Sequence, residues 1–386
     1  MAEVLRRAML PGIEALPRDA WDVCFPGSAE GWAYYRACAA GTRIAAVLDP
    51  AGLLIAAPVF TMEYRLDTPL QGRSAGIGAM LTRLLPDVMR WPMLGIGSPF
   101  AERCHVALRP GLTAPDREVA VNALVAFLDE TAALEGMRLI AFKDLSDPER
   151  AWLEPHLRRS GYAAIGGLPV AVLDLAGRSE ASYLAGLSVA ARRDIRRKQK
   201  VRPALRIEYR TEPGALLAEI EALYESTRRH SGVHYGTFED LPPGYFAAVA
   251  RAMPGRALFV LYWHGAQLLA FNLLLLEPDR VIDKFLGMAY PQARTFNLYA
   301  VSWMENVRLA LGSGRRFLQT GQTAYAAKLH LGSTLVSTVH LVRCPNRILH
   351  GAIRLAAKHL AFERWDPVLS ARSRPVRRCR CAQSAR

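Results

Sequence analysis

Asp283 is the residue of this sequence that most needs a chemical explanation. It stands in the middle of RVIDKFLGM at 280–288, an apolar run of strand length, where a carboxylate is costly unless it is paired or used. Lys284 is a poor partner, because successive side chains of a strand point to opposite faces. Asp283 therefore reads as a general base or a substrate anchor, with a salt bridge to some other residue as the alternative. Tyr325 and Lys328 lie three apart in a short helical segment near 323–330, so both fall on one face and could look into one cleft. The loop AYPQARTFN at 289–297 ends on Asn297, a good N-cap ahead of a helix whose first N–H groups would present the positive end of its dipole to an anion. Arg294, within that loop, could add a bidentate phosphate contact. A basic segment upstream has Arg192, Arg193, Arg196 and Arg197 at helical spacing, which sets Arg193 and Arg197 on one stripe suited to phosphates. His230 and His234 are four apart, but Ser231-Gly232 between them breaks a helix, so no zinc pair is expected.

These residues need elements to hold them. The first half reads as helical segments around Trp21 and 31–39, then a hairpin made of TRIAAVL at 42–48, the turn Asp49-Pro50-Ala51-Gly52 and LLIAAPVFTM at 53–62. A helix near 80–90, a short strand near 104–108, a helix at 116–135, a strand at 138–145, a helix near 148–160 and a strand at 167–175 follow. The second half has a basic helix near 188–200, a long helix at 213–230 and strands at 257–263 and 267–276 about the turn His264-Gly265-Ala266. After these come the strand 280–288, a helix at 298–311, a strand at 315–319, the short helix and a strand at 334–343. Each half thus runs hairpin, further strand, helix, strand, helix, strand, which predicts a duplicated α/β fold with mixed sheets. The expected units are 1–178, 179–345, an amphipathic helix within 346–366 that packs on a domain rather than a membrane, and a disordered basic tail at 367–386.

Composition narrows the class. The chain has 386 residues, 51% hydrophobic and 22% charged, enough apolar material for two ordinary cores and too little charge for a disordered chain. It has no apolar run long enough to span a membrane, and its first residues lack the features of a signal peptide, so a cytoplasmic protein is expected. The six cysteines show no ligand spacing beyond Cys379-Arg380-Cys381, so reduced thiols and no metal are expected. The net charge of +14 is uneven. Residues 192–210 hold nine Lys or Arg against Asp194 and Glu208, and the last fifteen residues hold six Arg and no acid. Phosphates of a cofactor, a nucleic acid such as tRNA, or an acidic membrane surface met through the basic C-terminus would all answer that field.

Asp283 to Met288, then Tyr290, Arg294, Leu298-Tyr299, Gly314, Phe317, Gly321, Tyr325, Lys328 and Gly332, with Leu187-Ser188 and RRDIRRKQK at 192–200 upstream, resemble the FemAB-like, BioF2-like (CelD-like) N-acetyltransferases of the GNAT superfamily. The likeness covers roughly 180–345. It implies tandem GNAT-like domains, the N-terminal one degenerate, and an N-acyltransferase moving an acyl group from acyl-CoA to an amine such as an amino sugar, an amino acid or a cell-envelope precursor. On that likeness Asp283 is the base and Tyr325 the acid that protonates the departing thiolate. Arg294, Thr295, Asn297 and Leu298 bind the cofactor, and Arg193, Arg197, Lys284, Gln322 and Lys328 bind substrate. Loop 289–297 departs from the usual GNAT pattern, in which a short Gly-rich run follows the basic residue. Two alternatives stand beside this reading: a FemAB-like aminoacyl transferase fed by aminoacyl-tRNA, and a non-catalytic basic adaptor for nucleic acid or a membrane surface, for which no RNA- or DNA-reading signature is present.

Overall fold

The computed structural model describes residues 5–38, 41–68, 75–231, 240–361, 364 and 366–373. His234, Cys379, Cys381 and the tail from 374 onward lie outside the described residues. Among those described, the strands in chain order are β1 (Arg6–Leu10), β2 (Thr42–Asp49), β3 (Gly52–Arg65), β4 (Arg90–Ile96), β5 (Ala107–Leu108), β6 (Leu139–Leu145), β7 (Ala163–Gly166), β8 (Val170–Asp174), β9 (Arg206–Arg210), β10 (Ala257–His264), β11 (Gln267–Leu276), β12 (Arg280–Met288), β13 (Phe317–Gln319), β14 (Thr334–Val336) and β15 (Val339–Arg343).

They form two sheets, ordered β1-β2-β3-β4-β6-β15-β7, with β5 on β3, and β14-β8-β13-β12-β11-β10-β9. Each sheet contains an antiparallel meander of four strands whose last member runs parallel to the next one: β4 beside β6, and β12 beside β13. The two sheets then exchange a strand. β8, the last strand of the first half, enters the second sheet between β13 and β14, and β15 crosses back to sit between β6 and β7. The expected division at 178/179 and 345/346 follows the chain but not the sheets. The run at 334–343, expected as one strand, is two strands in different sheets, and alternation along a sequence says nothing about which sheet receives a strand. β1 and β9, the first strand of each meander, and the helix Tyr245–Ala252 were not anticipated.

The duplication shows at the level of side chains. Phe60 of β3 pairs with Gly95 of β4, and Phe271 of β11 pairs with Gly287 of β12. A Cβ on either glycine would come to 2.2 Å from the ring of its partner, so in both halves an aromatic covers a glycine of the fourth strand. Three residues beyond that aromatic the halves diverge. Leu274 faces Asp283 in the second sheet, whereas Glu63 faces Pro92 in the first. The first half has Pro92 where the second has the acid.

Helices cover both faces of the second sheet. Leu217–His230 and Tyr245–Ala252 bury Phe259, Phe271 and Leu273 on one face, and Leu298–Gly312 packs with Val260, Leu274 and Leu318 on the other. The basic helix is Val189–Lys198, capped by Ser188. The C-terminal amphipathic helix, Arg347–Leu360, is capped by Asn346, packs on β7, and leaves Ile348 and Leu355 exposed. The tail expected to be disordered from 367 begins instead with a helix, Pro367–Ser373, whose Leu369 is buried beside Tyr325 and Leu168.

Candidate active site

β12 and β13 are paired only over Arg280–Ile282 and Phe317–Gln319, and from there β12 continues beside β11 without β13. At the point of separation the register against β11 slips: Leu274 pairs with Asp283 and Leu273 with Phe285, so Lys284 is an extra residue and β12 is bulged. Asp283 thus sits in the fork between the strands, partly buried, with both oxygens held. Asn272 of β11 donates to Oδ1 at 2.8 Å, and Asn306 of helix Leu298–Gly312 donates to Oδ2 at 3.0 Å. Burial pushes the carboxyl up to about 7, against the two amides and the Lys328 ammonium, which pull it down, while Glu102 adds to the rise. A positioned carboxyl that titrates near neutrality is suited to take up a proton. Asn272 and Asn306 were not singled out in the sequence; an amide in the otherwise apolar run of β11 was the available signal.

Lys284 points away from Asp283, toward Glu30 rather than toward Asn272 and Asn306. It is buried against Glu30, Nζ to Oε1 2.5 Å, between the rings of Tyr34 and Phe285.

The helix expected near 323–330 begins at Tyr325, because Thr323 and Ala324 both take left-handed backbone angles. Tyr325 is only 1% exposed, and its hydroxyl donates to the Pro169 carbonyl at 2.8 Å. This corrects its assignment as the acid: its proton is held by a backbone carbonyl inside the core. Lys328 is also corrected as a substrate contact. Its ammonium donates to the carbonyls of Thr320, Gly321 and Gln322, which occupies all three donors of a lysine, and burial pushes it down to about 8. Lys328 braces the turn after β13, and that turn carries Gln322. Gln322 donates to Asp144 Oδ1 at 3.1 Å and to the Leu168 carbonyl at 2.7 Å, joining the two halves.

Two openings flank the fork. One, of about 280 Å³, lies between the first sheet and helix Arg347–Leu360. Its walls include Trp91, Met93, Leu139, Ala141, Val342 and Ile353, and Lys143, Asp144, Glu102, Lys284, Gln322 and His340 gather at its other end. There the Asp144 N–H donates to His340 Nδ1 at 3.1 Å, which places the proton of the neutral ring on Nε2, and burial pushes His340 down. Glu102 accepts from Gln319 at 3.0 Å.

The other opening, about 240 Å³, is lined by Asp194 and Lys198 of the basic helix, Tyr299 and Ala300 at the start of helix Leu298–Gly312, and Ala326, Ala327 and His330. Asn297 is not the side-chain cap expected: its backbone is left-handed, φ 47°, and its side chain makes no capping bond. The Ala300 N–H bonds the Asn297 carbonyl at 2.9 Å, and the N–H groups of Leu298 and Tyr299 before it are left to other partners. Arg294 and Thr295 are exposed and Leu298 is buried. Arg193 and Arg197 are exposed on the helix that borders the groove, Arg197 bonded to Asp194 at 2.7 Å. Tyr299 was overlooked as a functional residue. It lines this groove, and burial followed by the Asp283 charge raises its hydroxyl pKa, so the phenol stays protonated.

The forked parallel pair, the bulge beside the acid, the helix following each strand of the fork and the repetition of this plan in the first sheet identify the architecture. The fold is tandem GNAT-like. The N-terminal GNAT-like unit is the degenerate one, with Pro92 in place of the acid. Among solved structures the chain is similar to FemX, with a TM-score of 0.51 and 12% identity over 81% of this chain and 90% of that one. It is also similar to the C-terminal DUF2156 domain of a protein from Agrobacterium fabrum named as a lysylphosphatidylglycerol synthetase, with a TM-score of 0.50 and 15% identity over 86% of this chain and 93% of that one. At such identities the likeness is one of fold. A Mycobacterium tuberculosis protein named as 8-amino-7-oxononanoate synthase 2 is 27% identical over 118 residues, 30% of this chain and 15% of that protein's length. No protein-family profile matches the chain. No helix among the described residues is long and apolar enough to cross a membrane.

Proposed function

We propose that the protein is an N-acyltransferase in which Asp283 takes the proton of an amine acceptor as the amine attacks an acyl carbonyl. The observation that carries this reading is the placement of Asp283: a partly buried carboxyl at the bulge of a GNAT fork, gripped by Asn272 and Asn306 and titrating near 7. The acyl donor lies in the groove beside Tyr299, and acyl-CoA is the donor proposed. Its phosphates meet the uncapped start of helix Leu298–Gly312, with Thr295, Asn297 and Leu298 around them and Arg294 at the entrance. The acceptor comes from the opening beside Lys284 and Gln322. In the transfer the N–C bond forms and the C–S bond breaks, Asp283 accepts the proton lost by nitrogen, and the departing sulfur takes a proton from the Tyr299 hydroxyl.

Thiol release from an acyl-CoA in the presence of an amine tests this, with Asp283→Asn as the control. No release from any acyl-CoA would refute acyl-CoA as donor, and full activity in Asp283→Asn would refute the base.

A second reading keeps the fold and takes the acyl group from aminoacyl-tRNA. The exposed cations Arg193, Arg196 and Lys200 beside the donor groove favour it. Affinity for tRNA would then fall steeply as salt is raised.

A further inference from the structure

The larger opening is unusual in its division of labour. Its apolar part rests on one face of the first sheet, where alternate side chains Trp91 and Met93 of β4, Leu139 and Ala141 of β6 and Val342 of β15 form a floor, and Ile353 and Leu360 of helix Arg347–Leu360 close over it. Along β6 the floor runs from Leu139 to Lys143, a span of about 13 Å at the rise of a strand. All of the charged groups stand at the end that meets β12. Two carboxylates, Glu102 and Asp144, and two ammonium groups, Lys143 and Lys284, line that end. Asp144 is paired with Lys143 and Lys284 with Glu30, so Glu102, bonded to Gln319 and in no ion pair among the described residues, is the carboxylate left to meet a cation. A catalytic domain needs no such apolar extension to position a small polar amine. The first half supplies most of its floor, through β4 and β6.

Resting on the acyl-transfer reading above, we propose that the acceptor is an alkyl amine or an amine with a comparably apolar tail, its ammonium at the Glu102 end and its hydrocarbon between β4, β6, β15 and helix Arg347–Leu360. At about 30 Å³ per water-sized group, the cavity holds on the order of ten heavy atoms. The first GNAT-like half, with Pro92 in place of the acid, is the binding wall for the substrate of the second.

The test uses the full chain and a series of straight-chain primary amines from four to fourteen carbons. Binding is measured by calorimetry and, separately, transfer is measured with acetyl-CoA. Affinity rises about fourfold per methylene and levels off near ten carbons. Ala141→Phe and Ile353→Trp, which narrow the tail region far from Asp283, move the plateau to shorter chains while butylamine binding is unchanged. Two positions are used because Ala141 lies within a strand and its variant could fail to fold, which melting curves reveal, whereas Ile353 lies on a surface helix. Affinity independent of chain length, or a plateau that neither folded variant moves, overturns the proposal. Chain-length-dependent binding without transfer from acetyl-CoA would uphold the cavity assignment and refute acetyl-CoA as the donor instead. Transfer to short amines without chain-length dependence would do the reverse.

Discussion

Replacing Asp283 by Asn removes an ionisable group and keeps its shape. The bonds to its neighbours survive, because the Oδ1 atoms of Asn272 and Asn306 have no hydrogen-bond partner among the described residues, and turning either amide lets it accept from the new NH₂. The stability effect has a definite sign. In the unfolded chain the carboxyl ionises near its ordinary 3.8, and in the folded chain only near 7, so between those values the folded state holds the extra proton. Stability contributed by this site is complete below about pH 4 and is lost as pH rises to about 7. The size of that loss is about 4 kcal/mol at most. Asp283→Asn cannot ionise and escapes it. Urea denaturation at pH 5 and at pH 8.5 should therefore show the variant gaining on the wild type at the higher pH. Activity moves the other way: transfer falls on the order of 10²- to 10⁴-fold, and the acid limb of the wild-type kcat/KM profile, with its midpoint near 7, disappears. A stability difference that does not change with pH would refute the raised pKa, and with it the case for Asp283 as a base poised at neutrality.

Tyr299→Phe should lower transfer by tenfold or more with little change in melting temperature. Tyr325→Phe should mainly destabilise, by about 1 kcal/mol, through its lost bond to the Pro169 carbonyl, and melting curves beside kinetics separate the two. Lys328→Met strips three buried carbonyls of their donor and should cost about 3 kcal/mol, read by denaturant titration. Glu30→Ala leaves the buried Lys284 ammonium without its partner and should cost about 3–5 kcal/mol, while the double variant Glu30→Ala/Lys284→Met recovers much of that loss. A fragment of residues 179–345 lacks β8 and carries an orphaned β15. It should fail to give a cooperative unfolding transition where the chain 1–360 gives one.

Several features were legible because they are local. The hairpin β2–β3 announced itself by its turn, the long helices by their periodicity, and Asp283 by its placement in an apolar run that no neighbour along the strand could neutralise. The repeated order of elements was also enough to read a duplicated fold. The strand exchange was not readable, because β14 and β15 are separated by two residues and differ only in which distant edge each one meets. The roles of Tyr325 and Lys328 turned on the same kind of information. Helical spacing correctly placed them near one another, but whether a hydroxyl or an ammonium reaches a cleft or a carbonyl depends on what the neighbouring chain presents, here Pro169 and the turn at 320–322. The sequence by itself determined the type of fold and the one residue whose chemistry had to be accounted for. Tertiary structure alone decided what grips that residue, since Asn272 and Asn306 come to it from a neighbouring strand and from the helix laid over the fork, and a carboxyl's pKa is set by everything that surrounds it.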